Sequence, residues 1–432
     1  MNQYDLLFLL FTSVQCNALP NFLILFPDQW RSEWAASFEG LTSLHMPFFE
    51  SLANNGTRFR NAFVPSPLCA PSRACLTAGR EYDLAGVPDN FSNDYPLSIP
   101  TFYQLLEKAG YYVMTSGKDD LTKSSGPGIN GQYHAKELGF SNFARTEGKE
   151  DVLKSNIPTD PYGNFCLQHN ISTNEGNISL WDVLLKKDSD CCFNVKGSSG
   201  YFCEIPSIIP QFAYEDDFVT DLSITMLETK PKTVPWLLQV SFPGPHPPFI
   251  VTSSMQNLTL TEDYPPAVDN TILSQKDGLD IKRLYAAELQ HIDTLFQRIV
   301  NKVVDIGDID NTIVIISSDH GEMLGDHMDW GKNIALARLN ISTTCCNRTW
   351  SWDKKSNYLW TPSRYNGYYW YNSRFGRYFT CTKYDNSIFQ TNSLWLTKKF
   401  LSTSVCFIWF SFVASCYERR FRTSLETYML SR

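Results

Sequence analysis

Two unbroken apolar runs of strand length and a third candidate strand, each leading straight into polar residues, constrain this chain more than any other feature. Phe22-Leu23-Ile24-Leu25-Phe26 leads to Asp28, Leu237 to Phe242 leads to Pro243-Gly244-Pro245-His246, and Thr312-Ile313-Val314-Ile315-Ile316 leads to Ser318-Asp319-His320-Gly321. A strand with one wet face alternates polar and apolar residues. A run that is apolar throughout belongs to a central parallel strand covered on both faces. Open α/β sheets build their sites just past the carboxyl ends of such strands. The sequence therefore predicts an α/β domain with a site assembled at those three ends. Leu284, Ala287, Ile292, Leu295, Phe296, Ile299 and Val303 fall near helical spacing and supply one covering helix, and Phe102 to Ala109 supplies a shorter one. Residues 155–210 are rich in Asn, Ser, Gly and Cys and read as a loop-heavy insertion over the site.

A chain of 432 residues holds one large domain and a smaller appendage. Its net charge of −8 argues against non-specific nucleic-acid binding, which rests on Lys and Arg neutralising phosphates. Leu6 to Val14 is apolar, with Cys16 and Ala18 framing a cleavage site, so residues 1–18 read as a signal peptide, the alternative being a buried first strand. That run is too short to span a bilayer. Asn55, Asn90, Asn170, Asn177 and Asn257 each open an Asn-x-Ser/Thr sequon, as expected of a glycoprotein. Cys166, Cys191, Cys192 and Cys203 cluster, which suggests local disulfides of an oxidising compartment or else buried thiols. These features place the chain in the secretory pathway, secreted or lysosomal.

Asp28, Asp319 and His320 stand at two strand ends that a parallel sheet brings together. Neighbouring carboxylates need a cation or a proton to coexist. A hard cation such as Ca2+, in preference to Mg2+, suits Asp28, the Gln29 carbonyl and Asp319, with His320 as a nitrogen ligand. The competing reading of an Asp after a strand is a helix N-cap.

Cys69-Ala70-Pro71-Ser72-Arg73, followed by Leu76-Thr77-Ala78-Gly79-Arg80, resembles the signature of formylglycine-dependent sulfatases. The resemblance covers about residues 20–333, and it implies the following. Cys69 is oxidised to formylglycine by a dedicated generating enzyme that reads Cys69, Pro71 and Arg73, and it then serves as both nucleophile and metal ligand. Asp28 matches the first member of the family's acidic pair, and Gln29 stands where the second acid is usual. Gly117-Lys118-Asp119-Asp120 follows a Gly-Tyr strand. Lys118 fits a sulfate-binding lysine, and Asp120 replaces the family's histidine base. His246 fits the histidine that contacts sulfate and protonates the leaving oxygen. Asp319-His320-Gly321-Glu322 through Trp330-Gly331-Lys332 is similar to the family's second metal segment, with Lys332 the second sulfate-binding lysine.

The fold implied is an alkaline-phosphatase-like α/β sandwich with a mixed, mainly parallel central sheet. The reaction implied is hydrolysis of an aryl sulfate or a sulfated carbohydrate. The rivals are a phosphodiesterase or phosphonate hydrolase of the same superfamily, and a secreted, catalytically dead binder of sulfated glycans.

From Ile334 the pattern breaks. The last stretch holds 14 Lys/Arg against 4 Asp/Glu and six of the eleven Trp, which leaves −18 on the rest of the chain. Val405 to Cys416 is apolar but too short for a membrane span. Codons exist for residues 334–350 whose +1 reading gives ILPWQGSTSVPLVVTGPG, and for residues 361–375 whose shifted reading gives HPVATMDITGTILD. Both are similar to sulfatase segments that follow the Trp-Gly-Lys motif. The expected organisation is a signal peptide at 1–18, a catalytic domain at 19–333 and a frameshifted C-terminal region at 334–432. The alternative is a lineage-specific extension.

Overall fold

The computed structural model describes residues 19–122, 134–149, 160–184, 192–194, 201–203, 206–269, 275–332, 344–346, 363–365 and 368–370, apart from breaks at 36–39, 60–61, 92–93 and 174–175. The expected signal segment 1–18, Cys191 and the run from Val405 to Cys416 lie outside the described residues.

In chain order the elements are β1 (Asn21–Pro27), α1 (Pro47–Asn55), β2 (Thr57–Phe59), α2 (Cys69–Ala78), α3 (Phe102–Lys108), β3 (Tyr112–Lys118) and β4 (Asn142–Thr146). Next come α4 (Pro161–Gln168), β5 (Asn170–Thr173), β6 (Gly176–Ser179), β7 (Cys192–Asn194), β8 (Tyr201–Cys203), α5 (Glu215–Thr229) and β9 (Trp236–Phe242). They end with α6 (Ser253–Asn257), α7 (Gln275–Asp305), β10 (Thr312–Ile316), β11 (Thr344–Cys346), β12 (Ser363–Tyr365) and β13 (Tyr368–Trp370).

One seven-stranded sheet runs β2-β11-β10-β1-β9-β3-β4. The pairs β10–β1, β1–β9, β9–β3 and β3–β4 are parallel, and the pairs of β11 with β10 and β2 are antiparallel. The two apolar runs and the third candidate strand are thus the three central neighbours β10, β1 and β9. Every residue of β1 and β9 is buried, as a strand covered on both faces requires.

Side chains alternate along β1 between two cores. Leu23 and Leu25 pack with Leu238, Val240, Val314 and the apolar stripe of α7. Phe22, Ile24 and Phe26 pack with Leu237, Ile313 and residues of α2 and α3. The α/β sandwich with a mainly parallel sheet is the fold the sequence implied. Helix α3 begins at a capping box, in which the Thr101 side chain accepts from Gln104 N and Gln104 returns the bond to Thr101 N.

The described part of residues 155–210 holds a helix and two hairpins where composition suggested loops. Asp160 caps α4, Pro161 fills its first turn, and the hairpins β5–β6 and β7–β8 follow. Tyr162, Cys166, Leu180, Trp181, Val183 and Ile209 form a small separate core. Cys166 there is a buried free thiol rather than half of a disulfide. Asn55, Asn170, Asn177 and Asn257 are exposed, whereas Asn90 is half-buried. No helix among the described residues is long and apolar enough to cross a membrane.

Candidate active site

The carboxyl ends of β1, β3, β9 and β10 deliver Asp28, Lys118, the Gly244–His246 loop and Asp319-His320 to one edge of the sheet. Helix α2 points its amino end at that edge and starts at Cys69 itself. Pro71 sits in its first turn, where a missing N–H costs nothing. The Ala70 N–H is held by Asn90 Oδ1 at 3.0 Å, and Ser72 Oγ ties the helix to the Asp319 carbonyl at 2.6 Å. Asn90, which opens a sequon, thus also caps the first turn of α2 through its Oδ1. Gly117 sits at φ +88 with β9 so close that a Cβ would lie 2.0 Å from the Ser241 carbonyl oxygen. Glycine is required there if β3 is to place Lys118 beside β9.

The Cys69 sulfur lies 3.6 Å from Asp28 Oδ1, 3.2 Å from His320 Nε2, 3.8 Å from Lys118 Nζ and 2.5 Å from Lys332 Nζ. Lys118 Nζ is 2.6 Å from Asp28 Oδ2 and 3.6 Å from Asp120 Oδ2. Arg73 reaches Asp319 Oδ2 at 2.9 Å through Nε and 2.8 Å through Nη2, Asp28 Oδ2 at 3.3 Å, and the Lys118 carbonyl at 2.5 Å. All of these side chains are buried. Asp28 does not cap a helix: its N–H goes to the carbonyls of Phe242 and Gly244, and its carboxylate faces Cys69, Lys118 and Arg73.

Burial and the Asp28 carboxylate oppose ionisation of Cys69, but Lys118, Lys332 and His320 together outweigh them and hold the thiol below its usual range. Burial likewise works against the Asp28 charge, yet Lys118, Lys332, His246 and Arg73 keep that carboxyl well below its ordinary value. His246 is pushed well below the usual histidine range, first by burial and then by Lys332 and Lys118. Its Nδ1 faces the Pro247 carbonyl at 2.5 Å, which makes Nδ1 the donor and leaves Nε2 as the free base. Asp120 sits against Lys118 at 3.6 Å and Arg73 at 3.9 Å, with its backbone at a positive φ of 55°.

Ligand atoms of Asp28, Cys69, Asp319 and His320 all lie within 4.8 Å of one another. His320 Nδ1 pairs with the Gly321 carbonyl, which turns Nε2 toward this group. The Gln29 side chain gives its amide N–H to Glu322, and its buried Oε1 has no hydrogen-bond partner. Two carboxylates, an imidazole nitrogen and an orphaned amide oxygen form a donor set that fits a divalent cation.

Two contributors escaped the sequence reading. Glu322 is buried and accepts from Gln29, from Leu324 N at 3.1 Å and from Gly331 N at 2.5 Å, so it folds the 322–332 loop that carries Lys332. Arg31 fastens the same loop to the end of β1 through Asp326 at 2.7 Å and the Met323 carbonyl at 2.9 Å. Glu322 stands three residues after Asp319 in an uninterrupted motif, and that proximity was the available signal.

The family profile described as Sulfatase matches residues 20–386, which runs past the composition break at Ile334. The choline-sulfatase of Rhizobium meliloti is 26% identical over 345 residues, covering 72% of this chain and 59% of that protein. The arylsulfatase of Clostridium perfringens is 26% identical over 340 residues, covering 73% of this chain and 66% of its own length. This chain therefore spans less than two thirds of either relative. Among solved structures, the phosphonate monoester hydrolase of Agrobacterium radiobacter superposes with a TM-score of 0.58 at 20% identity, covering 76% of this chain and 68% of that one. A protein solved with its substrate D-glucosamine-2-N,6-O-disulfate superposes at 0.55 with 18% identity, covering 77% and 71%. Motifs, sheet order and the match across most of the length agree: the chain belongs to the sulfatase family.

Proposed function

We propose that the site hydrolyses sulfate esters, with Cys69 matured to formylglycine as the nucleophile. The observation that carries this reading is the convergence of Lys118, Lys332 and Arg73 with Asp28, Asp319 and His320 on one buried side chain at the start of a helix. When present, a divalent ion, Ca2+ in preference to Mg2+, would lower the pKa of the nucleophilic hydroxyl and withdraw charge from the sulfuryl oxygens.

Asp28, Asp319, His320, Cys69 and the Gln29 oxygen would hold that ion. Lys118 and Lys332 bind the sulfuryl oxygens and the positive end of α2 adds to the same anion site. Arg73 locks Asp28 and Asp319 in place through its fork. His246 gives its proton to the leaving oxygen. It is neutral in the free protein, and an anion placed between it and the two lysines offsets the cations that depress it. Asp120 takes the proton from the nucleophile in place of the family's histidine. The substrate is an aryl sulfate or a sulfated carbohydrate, and a dedicated oxidising enzyme of the secretory pathway matures Cys69.

The test is mass spectrometry of the Cys69 peptide from a secretory-pathway product, beside turnover of sulfate, phosphate and phosphonate esters by the frame-corrected chain with and without Cys69→Ala. Aldehyde at Cys69 and Cys69-dependent sulfate release support the reading. Phosphonate or phosphodiester turnover without sulfate turnover assigns the site to the hydrolase rival. An intact thiol with glycan binding alone assigns it to the dead binder.

The C-terminal region belongs to the same proposal: residues after Lys332 are a shifted reading of sulfatase coding sequence. Support comes from β11, where Thr344–Cys346 pair antiparallel with β10 at the edge of the parallel core. Codons can be chosen for Thr344, Cys345 and Cys346 whose reading one base later gives Leu-Val-Val, an apolar triplet suited to that inner position. A shifted frame replaces the apolar side chains expected at that edge and those of the smaller subdomain, so the chain as written folds poorly or is inactive, and a corrected chain is active.

A further inference from the structure

We infer that Asp216 is a positioning residue that holds His246 and Asp28 in register through the peptide of Gly244, an inference that rests on the sulfate-ester reading above. Asp216 lies in the first turn of α5, fully buried, and its Oδ1 accepts the Gly244 N–H at 2.8 Å. The carbonyl of the same glycine accepts the Asp28 N–H at 3.1 Å. The two peptide groups that flank the Gly244 Cα are thus both held, the one before it by a carboxylate and the one after it by the metal-binding strand end. His246 follows two residues later, with its own N–H on the Pro243 carbonyl at 3.3 Å. The clamp is close fitting: a Cβ on Gly244 would lie 2.8 Å from Asp216 Oδ2 and 3.1 Å from Ile292 Cδ1. Asp216 Oδ2 itself has no hydrogen-bond partner among the described residues, so Oδ1 is the working atom.

A merely structural acid would affect folding alone. A positioning acid also acts selectively on what His246 and Asp28 do. His246 serves the leaving oxygen, so misplacing it hurts esters with poor leaving groups more than esters with good ones. Misplacing Asp28 weakens the hold on a divalent ion.

The experiment compares the frame-corrected chain, proposed above as the active form, with its Asp216→Ala and Asp216→Asn variants. It reads thermal unfolding, Ca2+ affinity by calorimetry, and kcat/KM on 4-nitrophenyl sulfate and on an alkyl sulfate. Asp216→Ala is expected to lose about a hundredfold on the alkyl ester and far less on the nitrophenyl ester, and to bind Ca2+ about tenfold more weakly. Asp216→Asn keeps an oxygen for Gly244 N–H and restores both. Equal losses on the two esters, an unchanged Ca2+ affinity, or an Asn variant no better than Ala would overturn the inference. If the frame-corrected parent turns over neither ester, the sulfate-ester reading fails, and the Ca2+ comparison alone decides the role of Asp216. A frame-corrected parent that binds no Ca2+ counts against it.

Discussion

Replacing Arg73 by Met tests whether the site is a balanced charge cluster or simply a pocket with polar walls. Met has similar length and preserves the packing beside Phe26, over whose ring the guanidinium now sits at 5.2 Å. The change removes the ion pairs to Asp319 at 2.8 Å and Asp28 at 3.3 Å and the bond to the Lys118 carbonyl at 2.5 Å. Asp319 and Asp28 are fully buried, so neither charge can turn to water. Breaking one side of a buried pair costs about 3–5 kcal/mol, chiefly because the partner is left uncompensated. Lys118 remains on Asp28 at 2.6 Å, which places the greater part of the loss at Asp319. Urea unfolding in EDTA should show this full cost. Excess Ca2+ should shrink it, because an ion that binds only the folded site takes over the orphaned carboxylates. Arg73→Met combined with Asp319→Asn should be less destabilised than the sum of the single changes, since the double variant leaves no unpaired charge. A loss within about 1 kcal/mol in EDTA, or strict additivity of the pair, would refute the argument that Arg73 is the counterion of the carboxylates.

Three further outcomes follow from the same structure. His246 should stay neutral to well below the pH at which an exposed histidine protonates, because burial and the two lysines oppose its charge, and inorganic sulfate should raise its titration; imidazole nitrogen NMR would expose the contrary as an ordinary titration unmoved by sulfate. Burial pushes Glu288 up to about 7 despite its ion pair with Lys149 at 2.7 Å. A carboxyl raised in the folded state binds its proton more tightly there than in the unfolded chain, so its contribution is complete below about pH 4 and is lost as pH rises to about 7, a swing of about 3 kcal/mol. Glu288→Gln should flatten stability against pH across that window, and an unchanged slope counts against it. Sequencing the transcript across the codons of Lys332 to Leu336 should reveal the frame break, whereas an uninterrupted frame together with a tail peptide from the mature protein would sink the idea.

How much of this was legible in the sequence depends on what each residue needs from the rest of the chain. Two central strands declared themselves because burial on both faces removes polar alternation from Phe22–Phe26 and Thr312–Ile316, a local property, whereas Leu237–Phe242 carries Gln239 and Ser241 and was the weaker candidate. Lys118, His246 and Lys332 were found only through their motifs, since a single lysine or histidine carries no spacing signal of its own. Asp216 gave no sign at all. In Glu215-Asp216-Asp217 at a helix start, acids complement the helix dipole and read as solvated surface charge, and only the return of β9 buries one of them against Gly244. Asn90 was legible only as part of a sequon, and the bond its Oδ1 accepts from the Ala70 N–H depends on a loop brought back from twenty residues away.

The charge count is the least local property of all. Asp28, Asp120 and Asp319, from three different strand ends, stand against Arg73, Lys118 and Lys332. With three of each sign the cluster is already neutral before any ligand arrives. A divalent cation alone would unbalance it, and so would an anionic ester alone, because each must displace a partner that the other would free: the cation takes Asp28 from Lys118, and Lys118 is then available to the sulfuryl oxygens. Cation and ester should therefore bind more tightly together than apart, each raising the other's affinity by the same factor.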